Sequence, residues 1–211
     1  PLGESRSGAH TMAESSMTFS SFRERFNPLL SQSLQEHAAR LPAAADPFLE
    51  EVLAYPSQLL KQGKRVRPYI ASLAYTGLGG ELTDDVLRYF SALEFFHLFC
   101  LVHDDIIDEG STRHGVATIH QFVYERLKKE QRLGNLQKLG DAHALLIGDL
   151  LFSWAIERMH VRYPGKTRGK DRTIALFFQM INETVLGQMI DVDLTSKPRA
   201  TSALIEQKMS L

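Results

Sequence analysis

From Thr83 to Glu109 about 27 residues follow one another with apolar side chains on nearly every face of a helix, which at 1.5 Å per residue is a rod of about 40 Å. A helix that is apolar all round has to be enclosed by protein or by lipid. Val86 to Ile107 is the nearest approach to a membrane span, but Arg88, Glu94, His97, His103 and two aspartates interrupt it. The segment is therefore expected to be the central, enclosed helix of a soluble bundle.

The rest of the chain agrees with that architecture. Apolar residues recur at three- and four-residue spacing from about Ser20, which predicts an all-α fold. The helices are expected over 20–41, 47–61, 65–77, 83–109, 116–131, 141–162 and 171–194, with a last one beginning near 200. Pro42, Asp46-Pro47, Gly77, Gly79-Gly80, Gly110, Gly134 and Pro164-Gly165-Lys166 mark the stops. Residues 124–140, with alternating charges, suit an exposed helix or mobile loop. The first 19 residues lack the pattern of a secretory signal and read as an expression remnant and disordered tail, leaving 20–211 as one domain.

Charge and cysteine content narrow the function. With 24 Lys and Arg against 25 Asp and Glu, the formal net charge is −1, without the excess that a nucleic-acid partner would call for. Cys100 is the one cysteine, so an intramolecular disulfide and a cysteine-rich zinc site are excluded, and a reducing, cytoplasmic setting is expected.

The long apolar helix ends in His103-Asp104-Asp105-Ile106-Ile107-Asp108-Glu109. Asp104 and Asp108, four apart, share a face with Cβ atoms about 6 Å apart, and Asp105 lies beside them. On a surface helix such a motif is commonly a solvated end. Here it continues an enclosed rod, and the C-terminal end of a helix disfavours anions. A compensating cation is needed, and two carboxylates that share Mg²⁺ with substrate phosphates suit the pattern. A second cluster, Gly63-Lys64-Arg65-Val66-Arg67-Pro68, opens another helix with three cations in four residues. Lys64 and Arg67 are spaced to face the same way, toward an anion.

The order and spacing of Gly63 to Pro68, His97, Asp104 to Asp108, Gly148-Asp149 and Gly187-Gln188-Met189-Ile190-Asp191 resemble the trans-isoprenyl diphosphate synthase (polyprenyl synthetase) family. The resemblance covers about residues 45–195. It implies an isoprenoid synthase-type helical bundle around a central cavity, usually a homodimer without integral membrane contact. The activity it implies joins isopentenyl diphosphate head-to-tail to an allylic diphosphate (dimethylallyl, geranyl or farnesyl) with Mg²⁺. By the same resemblance Lys64, Arg67 and His97 hold isopentenyl diphosphate, Asp104 and Asp108 ligate Mg²⁺ with Asp105 in support, and Arg113 grips the allylic diphosphate. Gln188 and Asp191 match a second polar face. Phe99, about 7.5 Å down the helix axis from Asp104, with Cys100 beside it and Phe96 below, is expected to stop the growing chain at geranylgeranyl (C20) length.

The match departs from the family at two places. His114 stands where the family usually has a second arginine, and a neutral imidazole grips a diphosphate less well. The second aspartate-rich motif is expected beyond Leu211, so the C-terminal helices are expected to be missing and this chain alone to be inactive or nearly so. Two other functions fit parts of the pattern. A class I terpene cyclase shares the aspartates but has no use for the Gly63–Pro68 cations, and a non-catalytic partner subunit would alter a synthase's products while making none.

Overall fold

The computed structural model describes residues 17–41, 46–161, 163–164 and 167–195. Its helices are α1 (Phe19–Ala39), α2 (Pro47–Ala54), α3 (Pro56–Leu60), α4 (Val66–Gly77), α5 (Asp84–Ile107), α6 (Ile119–Lys129), α7 (Leu136–Val161) and α8 (Thr167–Thr195). A hairpin, β1 (Thr112–Arg113) antiparallel to β2 (Val116–Ala117), is inserted between α5 and α6. The helix expected near residue 200, the first 16 residues and the Pro42 stop lie outside the described residues.

The all-α expectation holds, with α5 at the centre. The Thr83 side chain accepts from the Val86 amide, and Asp84 and Asp85 occupy the first turn, where the helix dipole favours anions. From there α5 packs chiefly on α7, with α4 and α1 also against it, while α6 lies on α7 and α8 touches α7 more lightly. Phe22 and Phe26 of α1, Leu87 and Phe95 of α5, Val123 of α6 and Leu151 of α7 are fully buried in one continuous core. Two helices, Asp84–Ile107 and Leu136–His160, are long and apolar enough to cross a membrane; they form the central pair of the bundle.

Several boundaries differ from expectation, α8 among them, which begins at Thr167 rather than 171. Pro56 cannot donate to the helix ladder, so 47–61 divides into α2 and α3 at Tyr55. Residues 116–118 are not helical: Val116 and Ala117 pair with Arg113 and Thr112, and Thr118 N donates to Ser111 O at 3.1 Å to close the loop. The stretch 124–140 is neither one helix nor a loose loop, because α6 ends at Lys129, Gly134 turns with φ 100°, and α7 starts at Leu136, five residues before the expected start.

Phe95 meets His37 at 5.6 Å and Trp154 at 6.4 Å between ring centroids, so its side chain joins α1, α5 and α7. Phe95→Ala is expected to destabilise the fold by about 3–5 kcal/mol in urea unfolding; a loss below about 1 kcal/mol would contradict the central place given to α5.

Candidate active site

The carboxylates at the end of α5 do not share one environment. Asp105 is buried, Asp104 is half-buried, and Asp108 is exposed as the C-cap, its amide donating to Asp104 O at 2.8 Å. The compensating cation is Arg113. Its Nε and Nη2 donate to Asp105 Oδ1 at 2.9 and 2.7 Å, and Nη2 also reaches Asp104 Oδ2 at 3.3 Å. These bonds, the one to Asp105 first, raise the guanidinium pKa above its ordinary value. From across the site Gln188 Nε2 donates to Asp104 Oδ1 at 3.0 Å.

The hairpin exists to deliver that arginine. Gly110 N donates to Asp105 O at 2.9 Å, turning the chain back immediately after the helix. His114 and Gly115, with φ of 51° and 83°, form a two-residue connection whose central residues are both left-handed, as a tight hairpin turn of type I′ requires. Tyr55 anchors the far strand, donating from its hydroxyl to Ala117 O at 2.9 Å while its ring stacks on Phe122 at 3.8 Å.

Two cavities flank the Arg113–Asp104 pair, Arg113 lining the first and Asp104 the second. The first, of about 330 Å³, is lined by Lys64, Arg67, His97, Arg113 and His114, among others. Lys64 and Arg67 stand exposed on its rim, whereas Arg65 between them borders the cavity as a buried residue paired to Glu94. His97 is no cation here: burial first, then the Arg67, Arg113 and Arg65 charges, lower its pKa to about 4. At neutral pH it is a neutral hydrogen-bonding group among positive charges.

The second cavity is a groove of about 780 Å³ between α5 and α8, with Asp104, His103, Gln188 and Asp193 at its polar end and Phe99, Cys100, Val185, Met189 and Val192 along its apolar part. Phe96 lies one layer below, buried, 5.7 Å from Phe99 and 5.7 Å from Phe177 between ring centroids, so Phe99 is the exposed face of an aromatic floor. Burial pushes the Cys100 thiol up to about 11, which leaves it a small apolar wall residue at neutral pH.

Of the residues singled out from the sequence, Lys64, Arg67, His97, Arg113 and His114 come together at the first cavity, and Asp104, Gln188, Phe99 and Cys100 at the second. Asp105 serves as the buried anchor of Arg113 and lines neither cavity. Sequence reasoning missed His103, whose Nε2 lies 3.3 Å from Leu145 O and 3.8 Å from Asp149 Oδ1, and whose ring stands edge-on to Phe99 at 4.5 Å. The signal for it was Gly148, because a Cβ there would collide with the His103 ring. Asp193 was also missed.

Among the described residues no group of three or more His, Cys, Asp or Glu stands ready to enclose a metal. Asp104 and Asp108, one turn apart at the helix end, offer two carboxylates instead, Asp104 lining the groove and Asp108 exposed beyond it. That donor set fits Mg²⁺, which commonly binds through one or two carboxylates and takes the rest of its shell from phosphate and water.

The model of the polyprenyl synthetase family matches residues 46–209. The chain belongs to the polyprenyl synthetase family. It is 27% identical over 198 residues to the geranylgeranyl diphosphate synthase of Methanosarcina mazei, covering 86% of this chain and 54% of that protein. Against the octaprenyl diphosphate synthase of Escherichia coli it is 25% identical, covering 81% and 48%. The fold matches the geranylgeranyl pyrophosphate synthase of Corynebacterium glutamicum, whose crystal structure is a complex with isoprenyl diphosphate and magnesium, with a TM-score of 0.80 at 25% identity over 90% of this chain and 55% of that one. The chain thus spans about half the length of these polyprenyl synthetases. The family members align with this chain's bundle as a helical fold, which agrees with the architecture read from the sequence.

The depressed His97 pKa has a sign that can be tested. The unfolded imidazole takes up a proton near its ordinary 6.5 and the folded one only near about 4, so stability falls as pH drops through that interval and is unaffected by His97 above it. His37 and His143, also lowered by burial, add to the same trend. His97→Gln is expected to shrink the loss of urea midpoint between pH 7 and pH 4.5; an unchanged loss would show that His97 is not held neutral.

Proposed function

We propose that the protein is a trans-prenyltransferase that joins isopentenyl diphosphate head-to-tail to an allylic diphosphate, with geranylgeranyl diphosphate as product. Residues 20–211 then belong to one polyprenyl synthetase domain, acting in the cytoplasm as a homodimer. The observation that carries the reading is the position of Arg113, which lines the cationic cavity and is also paired to Asp104 at the head of the apolar groove. Two adjacent anion sites, one of them opening on a long apolar channel, suit a reaction of two diphosphates in which one tail grows. A terpene cyclase ionises one substrate and has no use for the cavity of Lys64 and Arg67.

In this reading the allylic diphosphate lies with its charged end at Asp104 and Asp108 and its tail over Phe99. Mg²⁺, held by those two carboxylates, would supply charge stabilisation for the departing pyrophosphate. Arg113 donates to the same phosphate oxygens, and Gln188 fixes the Asp104 carboxylate so that its geometry need not reorganise. The allylic C–O bond breaks with its electron pair on pyrophosphate. The alkene of isopentenyl diphosphate, held by Lys64, Arg67 and neutral His97, then forms the new C–C bond, and the cation this leaves gives up a proton to the released pyrophosphate. The protein's contribution is positioning and charge, without a covalent intermediate. His114 supplies a weaker donor than arginine at the rim of the isopentenyl site.

Binding separates the two sites. Asp104→Asn is expected to weaken Mg²⁺-dependent binding of geranyl S-thiolodiphosphate by about tenfold or more, and Lys64→Ala to weaken isopentenyl diphosphate by a similar factor while sparing the thiolodiphosphate. Equal effects of both substitutions on both ligands would contradict two sites. In the active enzyme, Phe99→Ala removes the exposed layer of the aromatic floor and is expected to lengthen the product seen by chromatography; an unchanged distribution would remove Phe99 from chain-length control.

A further inference from the structure

Between the two exposed cations on the rim of the first cavity, Lys64 and Arg67, stands one that also borders the cavity but is buried, its guanidinium engaged by protein. Arg65 is 4% exposed and has φ 65°, in the left-handed region that a non-glycine residue adopts at a cost. Its guanidinium points into the protein and spends its donors on three separate elements. Nε donates to Asn27 Oδ1 of α1 at 2.8 Å, Nη1 to Glu94 Oε2 of α5 at 2.8 Å, and Nη2 to Leu60 O at the end of α3. Glu94 is as buried as its partner, so the pair forms a nearly enclosed part of the cavity wall. Gly63 is shaped by the same group, since a Cβ on it would collide with the Arg65 guanidinium.

The consequence for the cavity is geometric. With Arg65 anchored by protein and its backbone left-handed, its neighbours Lys64 and Val66 are turned outward, and Arg67 after them is exposed where Arg65 and Pro68 are buried. Glu94 lies one helical turn before His97, so the anchor ties the loop to the same stretch of α5 that carries the cavity's imidazole. A lysine on a free loop and an arginine on an untethered first turn of α4 would lose their ordering entropy on binding. A loop held from behind has lost it already.

We propose that Arg65, with Glu94 as its partner and Gly63 as the gap it occupies, is a positioning residue that holds Lys64 and Arg67 in place for the diphosphate of the substrate bound in this cavity, without touching that substrate. The inference rests on the reading of this cavity as a diphosphate site. It assigns the three clustered cations two different tasks and gives Gly63 a steric one.

The test measures isopentenyl diphosphate binding calorimetrically on the 211-residue chain, without added metal and well below the unfolding midpoint, beside the midpoint itself. Wild type is expected to bind, and Lys64→Ala to lose about tenfold or more. Replacing both buried partners together, Arg65→Met with Glu94→Leu, removes the anchor without leaving a lone buried charge, an exchange that is often neutral or favourable for stability. This double variant is expected to keep a midpoint near wild type and still bind about tenfold more weakly. Gly63→Ala, a change in a loop, is expected to show the same loss of affinity and decides the matter if the double variant does not fold. A purely structural role would lower midpoints and leave the affinity of the folded protein unchanged, so binding by Gly63→Ala and by any folded double variant within twofold of wild type overturns the inference. Absence of wild-type binding, or binding indifferent to Lys64→Ala, overturns the reading of the cavity and the inference with it.

Discussion

Carboxylates at the C-terminal end of an enclosed apolar helix oppose each other and the helix dipole, and the site is organised around relieving that conflict. Asp105 is the most constrained of the three because it is buried, and Arg113 meets it with two donors while reaching Asp104 with one of them. The pair fixes the hairpin against the helix end, and the hairpin in turn brings His114 to the rim of the cationic cavity. Asp104 and Asp108 are left with accessible oxygen and incomplete neutralisation.

Division of labour within each charged cluster is the common theme of the site. In the acidic cluster Asp105 faces the protein and holds a cation, while Asp104 faces the groove. In the basic cluster Arg65 is buried and paired to an anion at the cavity wall, while Lys64 and Arg67 are exposed on its rim. His97 adds a donor without adding charge, because burial and three neighbouring guanidinium groups keep its ring neutral. Charges set aside for structure allow the remaining ones to stand close together without collapsing on each other.

Much of this was legible in the sequence because the controlling signals are local. The apolar rod, the four-residue spacing of Asp104 and Asp108 and the Lys64–Arg67 spacing are periodic features, and each places its residues on a face. The hairpin was not legible: two strands of two residues carry no periodicity, and its turn depends on His114 taking a left-handed conformation that only Gly115 advertises. Pro56 was a visible breaker that the continuing apolar pattern overrode in the reading of 47–61. The inward turn of Arg65 and the edge-on contact of His103 with Phe99 depend on partners 29 and 4 residues away, one across the core and one along the helix. For both, the sequence trace was a glycine at the point of close approach, Gly63 and Gly148.

The most direct test of this account is a crystal structure of the protein with Mg²⁺ and an allylic thiolodiphosphate. The account predicts metal on Asp104 and Asp108, the diphosphate beside it, the prenyl tail over Phe99, and Arg113 turned from Asp104 toward phosphate oxygen while still bonded to Asp105. A diphosphate bound elsewhere, with Asp104 and Asp108 free of metal and Arg113 unmoved, would contradict it.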